Sequence, residues 1–213
     1  MSIPEKYGNY IYFLRHKEYS QKQKDGINTY EIYCRHDHKE VGKFKSLEEA
    51  QAKTEIVLDL EEVPFVSQRM VRKTIVDKVK MNDDHSLIAF TIDIGNTERL
   101  TGGIKDMKKN EVLKNIKLEG VSQIEFGRGH DTIYYVETDQ MNRPYKVKKL
   151  NIVTNQESTV FVDPDQTHYV DIGVTKDGRY LVINSNTKED SEVWVVNRDQ
   201  PDVVIPTKLI PRR

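Results

Sequence analysis

One cysteine, Cys34, is the only thiol in 213 residues. That excludes an intramolecular disulfide and fits a reducing compartment. No stretch approaches the roughly eighteen consecutive apolar residues that a membrane-spanning helix needs. The opening Met1-Ser2-Ile3-Pro4-Glu5-Lys6 lacks the apolar core of a secretory signal, so a soluble cytoplasmic protein is expected. A charge excess of either sign is missing too: Lys+Arg 33 stand against Asp+Glu 34, for a net charge of -1. No global field draws in nucleic acid or an anionic membrane, and neither is expected as a partner. Also absent is a G-x-S-x-G nucleophile elbow, since no serine has glycine both two residues before and two after it. The six histidines, His16, His36, His38, His85, His130 and His168, are scattered over turn-like segments. Nucleophile, base and orienter cannot be assembled from them. A metal needs three or four convergent ligands, and His36-Asp37-His38 supplies at most part of a set, so it reads as a solvated loop. No catalytic, cofactor-binding or metal-binding residue is assigned, and no cofactor is expected.

What is present is strand and turn. Hydrophobic content is 37%, charged content 31% and mean hydropathy -0.68. This is polar for a globular chain, but eleven Tyr, six Phe and many Val and Ile keep it out of the disordered class. The stretch from Val79 to Arg99 carries a polar turn at Asn82-Asp83-Asp84-His85, a strand from Leu87 to Asp93 and a second turn at Gly95-Asn96. The phrase returns at Gly129-His130-Asp131 before Thr132 to Val136, and at Lys176-Asp177-Gly178 before Tyr180 to Ile183. Aligning Ile88, Ile133 and Leu181 gives spacings of 45 and 48 residues. A period in the forties made of strands and turns points to the four-stranded blade of a β-propeller.

Three blades can be written out. The first runs through Leu87–Asp93, 103–107 and 115–118, preceded by strands within 66–80. The second takes 122–126, 133–138, 145–152 and 158–162. The third takes 169–174, 180–184, 192–196 and 203–205. Lys146, Lys148 and Asn151 interleave with Val147 and Leu150, as on a strand with one wet face, whereas Leu181-Val182-Ile183 reads as covered on both faces. Upstream, Tyr10–Arg15 and Thr29–Arg35 read as a hairpin joined by a polar loop over 18–28. Ser46-Leu47-Glu48-Glu49 matches a capping box, which predicts a short helix over 47–53. A strand or extended segment over 54–59 follows, ended before Pro64. The expected fold is all-β: a partial propeller of three to four four-stranded blades over 66–213, after an N-terminal region, 1–65, with a hairpin and one short helix.

Four other features are weighed. Asp93 with Glu98-Arg99 reads as a turn-stabilising ion pair in preference to a substrate-facing turn. Trp194 reads as a packed inter-blade residue more than a recognition aromatic. Lys105, Lys108, Lys109, Lys114 and Lys117 are interrupted by Asp106, Glu111 and Glu119, and read as a solvated face. Gly102-Gly103 is a turn or bulge and not a phosphate loop, and Arg212-Arg213 is too short to be an address.

Five segments, in order, resemble the propeller of the prolyl oligopeptidase family, in the branch of oligopeptidase B and prolyl endopeptidase-like proteins. They are Tyr10-Ile11-Tyr12 through Tyr30–Arg35; Ile56–Asp59; Ala89–Asp93 with Gly95–Arg99; Arg143–Val147; and Ser185–Trp194. The resemblance implies a seven-bladed propeller that caps an α/β-hydrolase domain and screens peptides by size on their way to a Ser-Asp-His triad. The chain departs from that plan by having no nucleophile elbow and only three legible blades. A partial ring exposes lateral blade faces and unpaired edges, so a longer product, a different closure or a covering partner is expected, and the isolated chain is expected to self-associate or need a partner. Two functions follow: the substrate-gating propeller portion of a serine peptidase of this family, not catalytic alone, or a non-catalytic protein-interaction module on a reused propeller. The expected partner is a peptide substrate or a protein, such as a hydrolase domain or chain that covers the open blade faces.

Overall fold

The computed structural model describes residues 57–129, 131–200 and 205–212 in full, and the backbone of five strands within 10–56. The chain divides into two compact units, residues 1–72 and 73–213.

In the first unit, strand β1 (Tyr10–Ile11) pairs in parallel with β5 (Glu55–Ile56). Strands β2 (Glu18–Lys24), β3 (Ile27–Tyr33) and β4 (Glu40–Phe44) form an antiparallel sheet in chain order. This corrects the expected hairpin. Thr29–Tyr33 pairs with the segment read as a loop, Glu18 against Tyr33 through Lys24 against Ile27, and not with the Tyr10 run. Polarity misled the reading, because EYSQKQK is a charged strand, and charged strands occur where a sheet edge or face is wet. The register leaves only Asp25-Gly26 between Lys24 and Ile27, a dipeptide that favours two-residue hairpins. Among the described residues of the segment 54–59, Glu55–Ile56 is strand, and Val57 and Leu58 are buried outside it. The helix expected over 47–53 lies outside the described residues, as do Cys34, His36 and His38. The described helix is α1 (Gln68–Val71), a single turn after Ser67.

The second unit is three antiparallel sheets in chain order. The first blade is β6 (Thr74–Met81), β7 (Leu87–Ile94), β8 (Leu100–Asp106) and β10 (Leu118–Glu119), with β9 (Glu111–Val112) also on β8. The second is β11 (Val121–Phe126), β12 (Thr132–Thr138), β13 (Pro144–Asn151) and β14 (Glu157–Val162). The third is β15 (Tyr169–Val174), β16 (Tyr180–Asn186), β17 (Ser191–Asn197) and β18 (Thr207–Ile210). Ile88, Ile133 and Leu181 thus fall on β7, β12 and β16, the second strand of each blade. Of the strand expected over 203–205, residues 203 and 204 lie outside the described residues; the described strand, β18, starts after Pro206, whose missing N–H suits the approach to an edge strand.

The repeated turns act through side chains that replace backbone partners. Asn82 Oδ1 accepts the Leu87 N–H at 2.9 Å, and Asp84 Oδ1 accepts the Ser86 N–H and hydroxyl at 3.1 and 2.6 Å. In the third blade the Thr175 hydroxyl donates to Asp177 at 2.6 Å and accepts the Tyr180 N–H at 3.0 Å, while Gly178 takes φ +73°. Short polar side chains that bond two to five residues ahead are why these turns were readable. The Asp93 turn is held differently from the expectation. Its carboxylate accepts the backbone N–H groups of Thr97 and Glu98 at 2.8 and 2.9 Å, and Arg99 reaches instead to the Asp139 carbonyl at 3.3 Å. Backbone donors, not an ion pair, fix that turn.

The core lies between blades. Leu87, Ala89, Ile104 and Leu118 of the first blade bury against Ile124, Ile133, Tyr135 and Leu150 of the second. The other face of the second blade, Tyr134, Val136, Val147 and Val160, buries against Val170, Leu181, Ile183 and Val196 of the third. Alternate residues of β12 therefore enter opposite cores, which the period-two geometry of a strand requires. Gly102 and Gly103 sit mid-strand in β8 and not in a turn; a Cβ on Gly102 would meet Ile124 Cδ1 at 2.8 Å, so the glycine permits the close approach of the blades. Lys105 is 1% exposed, while Lys108, Lys109, Lys114 and Lys117 are exposed, so the basic stretch is not one solvated face. On β16 the pattern is alternating, with Leu181 and Ile183 buried and Val182 half-buried, and not the two-sided cover expected there.

Candidate functional site: a cleft between the outer strands of the second and third blades

The last strands of the second and third blades, β14 and β18, border a cleft of about 630 Å³ lined by Val160 to Pro164, Glu192, Trp194, Pro206, Lys208 and Arg212. The size falls in the range of ligand pockets. Its apolar wall comes from the ends of the two sheets. Phe161 and Trp194 meet with ring centroids 5.6 Å apart and planes tilted by 55°, a favourable aromatic arrangement, and both pack on the second inter-blade core.

The floor is ionic. Asp163, 1% exposed, receives the Ser185 hydroxyl, the Asp165 backbone N–H at 2.8 Å and Arg212 Nη2 at 2.6 Å. Burial alone would raise its carboxyl; the Ser185 and Asp165 hydrogen bonds and the Arg212 charge outweigh that and hold it below the usual carboxylate range. Glu192 is treated alike. Burial pushes it up, while Lys208 at 3.0 Å, the facing Trp194 indole and Arg212 at 3.2 Å bring it down. The Lys208 ammonium also stands 4.5 Å from the centroid of the Trp194 ring. Arg212 thus gathers Asp163, Glu192 and, at 3.4 Å, Asp165. The indole N–H of Trp194 faces Glu192 and helps to hold its carboxyl down, while Arg212 Nε has no hydrogen-bonded acceptor among the described residues.

Beside this floor lies a serine, a histidine and carboxylates, which calls for a chemical test. The Ser185 hydroxyl donates to Asp163, and His168 lies elsewhere, with Nδ1 3.3 Å from Asp165 and Nε2 2.9 Å from Asp190. A serine nucleophile must instead give its proton to a histidine that a carboxylate orients. Ser185 is fully buried as well, so this constellation is structural. Among the described residues, no three His, Cys, Asp or Glu side chains converge to hold a metal ion.

Two arginines tie the blades together at separate places. Arg198, 3% exposed, donates to the carbonyls of Phe126 at 3.1 and 2.7 Å, of Gly127 at 3.1 Å and of Gly178. Arg143 bonds Asp139 at 3.0 Å and the carbonyls of Asp165 and His168 at 2.8 and 3.1 Å. Sequence reading assigned Trp194 to inter-blade packing, which the second core contains, and left Arg212 without a role. It did not find Asp163, Glu192, Lys208 or Arg198. Only the Asp163-Pro164-Asp165 turn carried a local signal; the partners of Asp163 stand 22 and 49 residues away, at Ser185 and Arg212.

Known proteins agree with this architecture. The family model described as the prolyl oligopeptidase N-terminal beta-propeller domain matches residues 1–213. Protease 2 of Moraxella lacunata is 27% identical over 219 residues, covering 100% of this chain and 29% of that protein. The prolyl endopeptidase-like protein of Gallus gallus is 29% identical over 128 residues, covering 59% of this chain and 17% of its own length. The chain therefore spans less than a third of these relatives. Among solved structures, oligopeptidase B from Leishmania major superposes with a TM-score of 0.67 at 19% identity, over 96% of this chain and 27% of that one. Oligopeptidase B from Trypanosoma brucei gives 0.65 at 21% identity, over 92% and 28%. Blades that pack face to face, a match along the whole sequence and no nucleophile elbow within it lead to one assignment: the chain belongs to the prolyl oligopeptidase family and corresponds to its N-terminal β-propeller.

Proposed function

We propose that this chain is the substrate-gating portion of a serine peptidase of the prolyl oligopeptidase type, and that it hydrolyses nothing by itself. The observation that carries the reading is the match of residues 1–213 to the propeller alone, in a sequence without a G-x-S-x-G elbow. Gating suits a stack of blades whose rigidity comes from apolar inter-blade cores, because a filter must keep its shape while substrates vary. Its partners are then a peptide substrate and a hydrolase domain or chain. Among the described residues no helix is long and apolar enough to cross a membrane, and the single Cys34 suits the cytoplasm, where we place the protein.

A second reading, a protein-interaction module without a catalytic partner, draws on the exposed edge strand β18, where Leu209 is 63% and Ile210 46% exposed. One experiment separates the two. The natural protein is purified from its source with whatever binds it, its intact mass is compared with 24.9 kDa, and it is treated with a serine-reactive phosphonate probe. Labelling of a larger product, or of a co-purifying hydrolase, supports gating. An unlabelled 24.9 kDa chain in a stable complex overturns it in favour of the interaction module.

A further inference from the structure

The second strand of each blade supplies a register in which the blades can be compared. Thr91, Val136 and Asn184 are 45 and 48 residues apart, as Ile88, Ile133 and Leu181 are. The first-strand residues opposite them are Lys78, Gln123 and Asp171. Two of these reach across to the next blade. Lys78 Nζ donates to the Ser122 carbonyl at 3.5 Å, and Gln123 Oε1 accepts the Ile172 N–H at 2.7 Å. Asp171 holds the same place in the third blade, with no sheet beyond it among the described residues. Its carboxylate takes the Asn184 and Asn186 amides of its own sheet.

The face that carries Asp171 has the make-up of an interface. Leu181 and Ile183 turn into the second core, so Val182 and Asn184 turn the other way. Their cross-strand partners Gly173, Val195 and Val193 share that face, as does Ile210, 46% exposed and opposite Val193. A Cβ on Gly173 would meet nothing within 4 Å, so a notch lies beside Asp171. The other end of the stack offers no open counterpart: Ile88, Phe90 and Ile92 of β7 are at most 1% exposed. Head-to-tail addition of a second copy is therefore blocked. The sheet left to meet this face is the same face of that copy, an arrangement that closes at two.

We propose that two copies of the chain pack the free faces of their third blades together, about a two-fold axis that crosses the strands between the Asn184 and Val182 rows. That axis sets Asp171 of each copy over Gly173 of the other, and Val193 over Val195. The Asp171 carboxylate then faces an edge donor, the Val174 N–H. The Thr175 N–H bonds to Tyr180 within the sheet, so by alternation that of Val174 points outward, as that of Ile172 does. Asp171 thus serves the other copy as Gln123 serves the third blade. Four strands about 4.8 Å apart and about six residues long cover about 400 Å². That is near the lower limit of specific interfaces, so a dimer in the micromolar range is expected. The proposal concerns the chain by itself and rests on neither reading of its function.

The full chain is followed by analytical ultracentrifugation through the micromolar range. The mass should rise from 24.9 kDa to twice that value and stop there. Val182→Lys, at the centre of the face, should leave a single chain at every concentration while circular dichroism stays that of the parent. Gly173→Leu, for which the single chain has room, fills the notch and should weaken pairing by about tenfold or more. Leu209→Ser, on the exposed β18 edge, should pair like the parent. A parent chain that stays single would overturn the proposal and leave the face to a different protein. Growth beyond two copies, loss of pairing in Leu209→Ser, or parent-like pairing of Val182→Lys or Gly173→Leu would overturn it as well.

Discussion

Strands β12 and β16 hold the same place in successive blades, carry similar β-branched and aromatic residues, and are buried differently. Thr132 to Val136 of β12 are buried at every position, while β16 alternates, Leu181, Ile183 and Ser185 buried and Val182, Asn184 and Asn186 half-buried. The cause is the neighbour. The second blade has a core on each face, the first through Ile133 and Tyr135 and the second through Tyr134 and Val136. On the third blade, the residues between the buried ones carry a polar cluster, with Asn184 and Asn186 donating to Asp171 at 2.8 and 3.4 Å. Burial here follows the stacking order together with the residues that each strand offers to its two faces.

The comparison can be broken most forcefully in the doubly covered strand. Ile133→Ala removes a side chain of 0% exposure from the first core and should cost about 3–4 kcal/mol in urea unfolding. Val182→Ala at the half-covered position should cost about 1 kcal/mol or less. Equal costs would refute the claim that the face's neighbour sets its energetic weight.

The seam between the same two blades comes next. Arg198 reaches the carbonyls of Phe126 and Gly127 in one and Gly178 in the other, with a guanidinium fork. Arg198→Met should destabilise by about 2–3 kcal/mol, because it leaves buried carbonyls without donors. Arg198→Lys should recover little of that, since an ammonium cannot span three carbonyls. Full rescue by lysine would show that charge alone mattered.

Acid should act more mildly, at the junction of the second and third blades. Asp163 and Glu192 have folded-state carboxyls below their ordinary values, so they contribute stability at pH above the unfolded carboxylate range and lose it as pH falls through the folded values. Stability should therefore decline as pH drops below about 4, with a shallower decline in Asp163→Asn. Chemical denaturation across that range checks it; an unchanged slope in the variant would rule Asp163 out as a contributor. The smallest effect is expected at Tyr169, 55% exposed on β15, where Tyr169→Ser should shift stability by no more than about 0.5 kcal/mol in the isolated chain. A larger loss in a thermal melt would mean that this part of the third blade is covered in solution.

How much was legible follows the range of the forces involved. The turns before β7 and β16 were readable because Asn82, Asp84, Thr175 and Asp177 bond only two to five residues away. The strand of each blade that follows such a turn was readable for the same reason, and its recurrence gave the blade. The pairing of Tyr10 with Glu55 and the burial of Lys105 left no such trace. The cleft was hidden in the same way: Phe161 touches Trp194, and Asp163 meets Arg212, only because the two blades stack.

By itself, then, the sequence determined the all-β class, the repeat and the approximate strands of three blades, through alternation and turn chemistry that act within a few residues. The tertiary structure alone decided which faces are dry, that Arg198 seals the seam, that Ser185 bonds to a carboxylate and not to a histidine, and that two outer strands enclose a cleft. Those outcomes rest on side chains brought together from 20 or more residues apart, as with Ser185 and Asp163 or Arg198 and Phe126, and on desolvation that exists only once the blades have closed on one another.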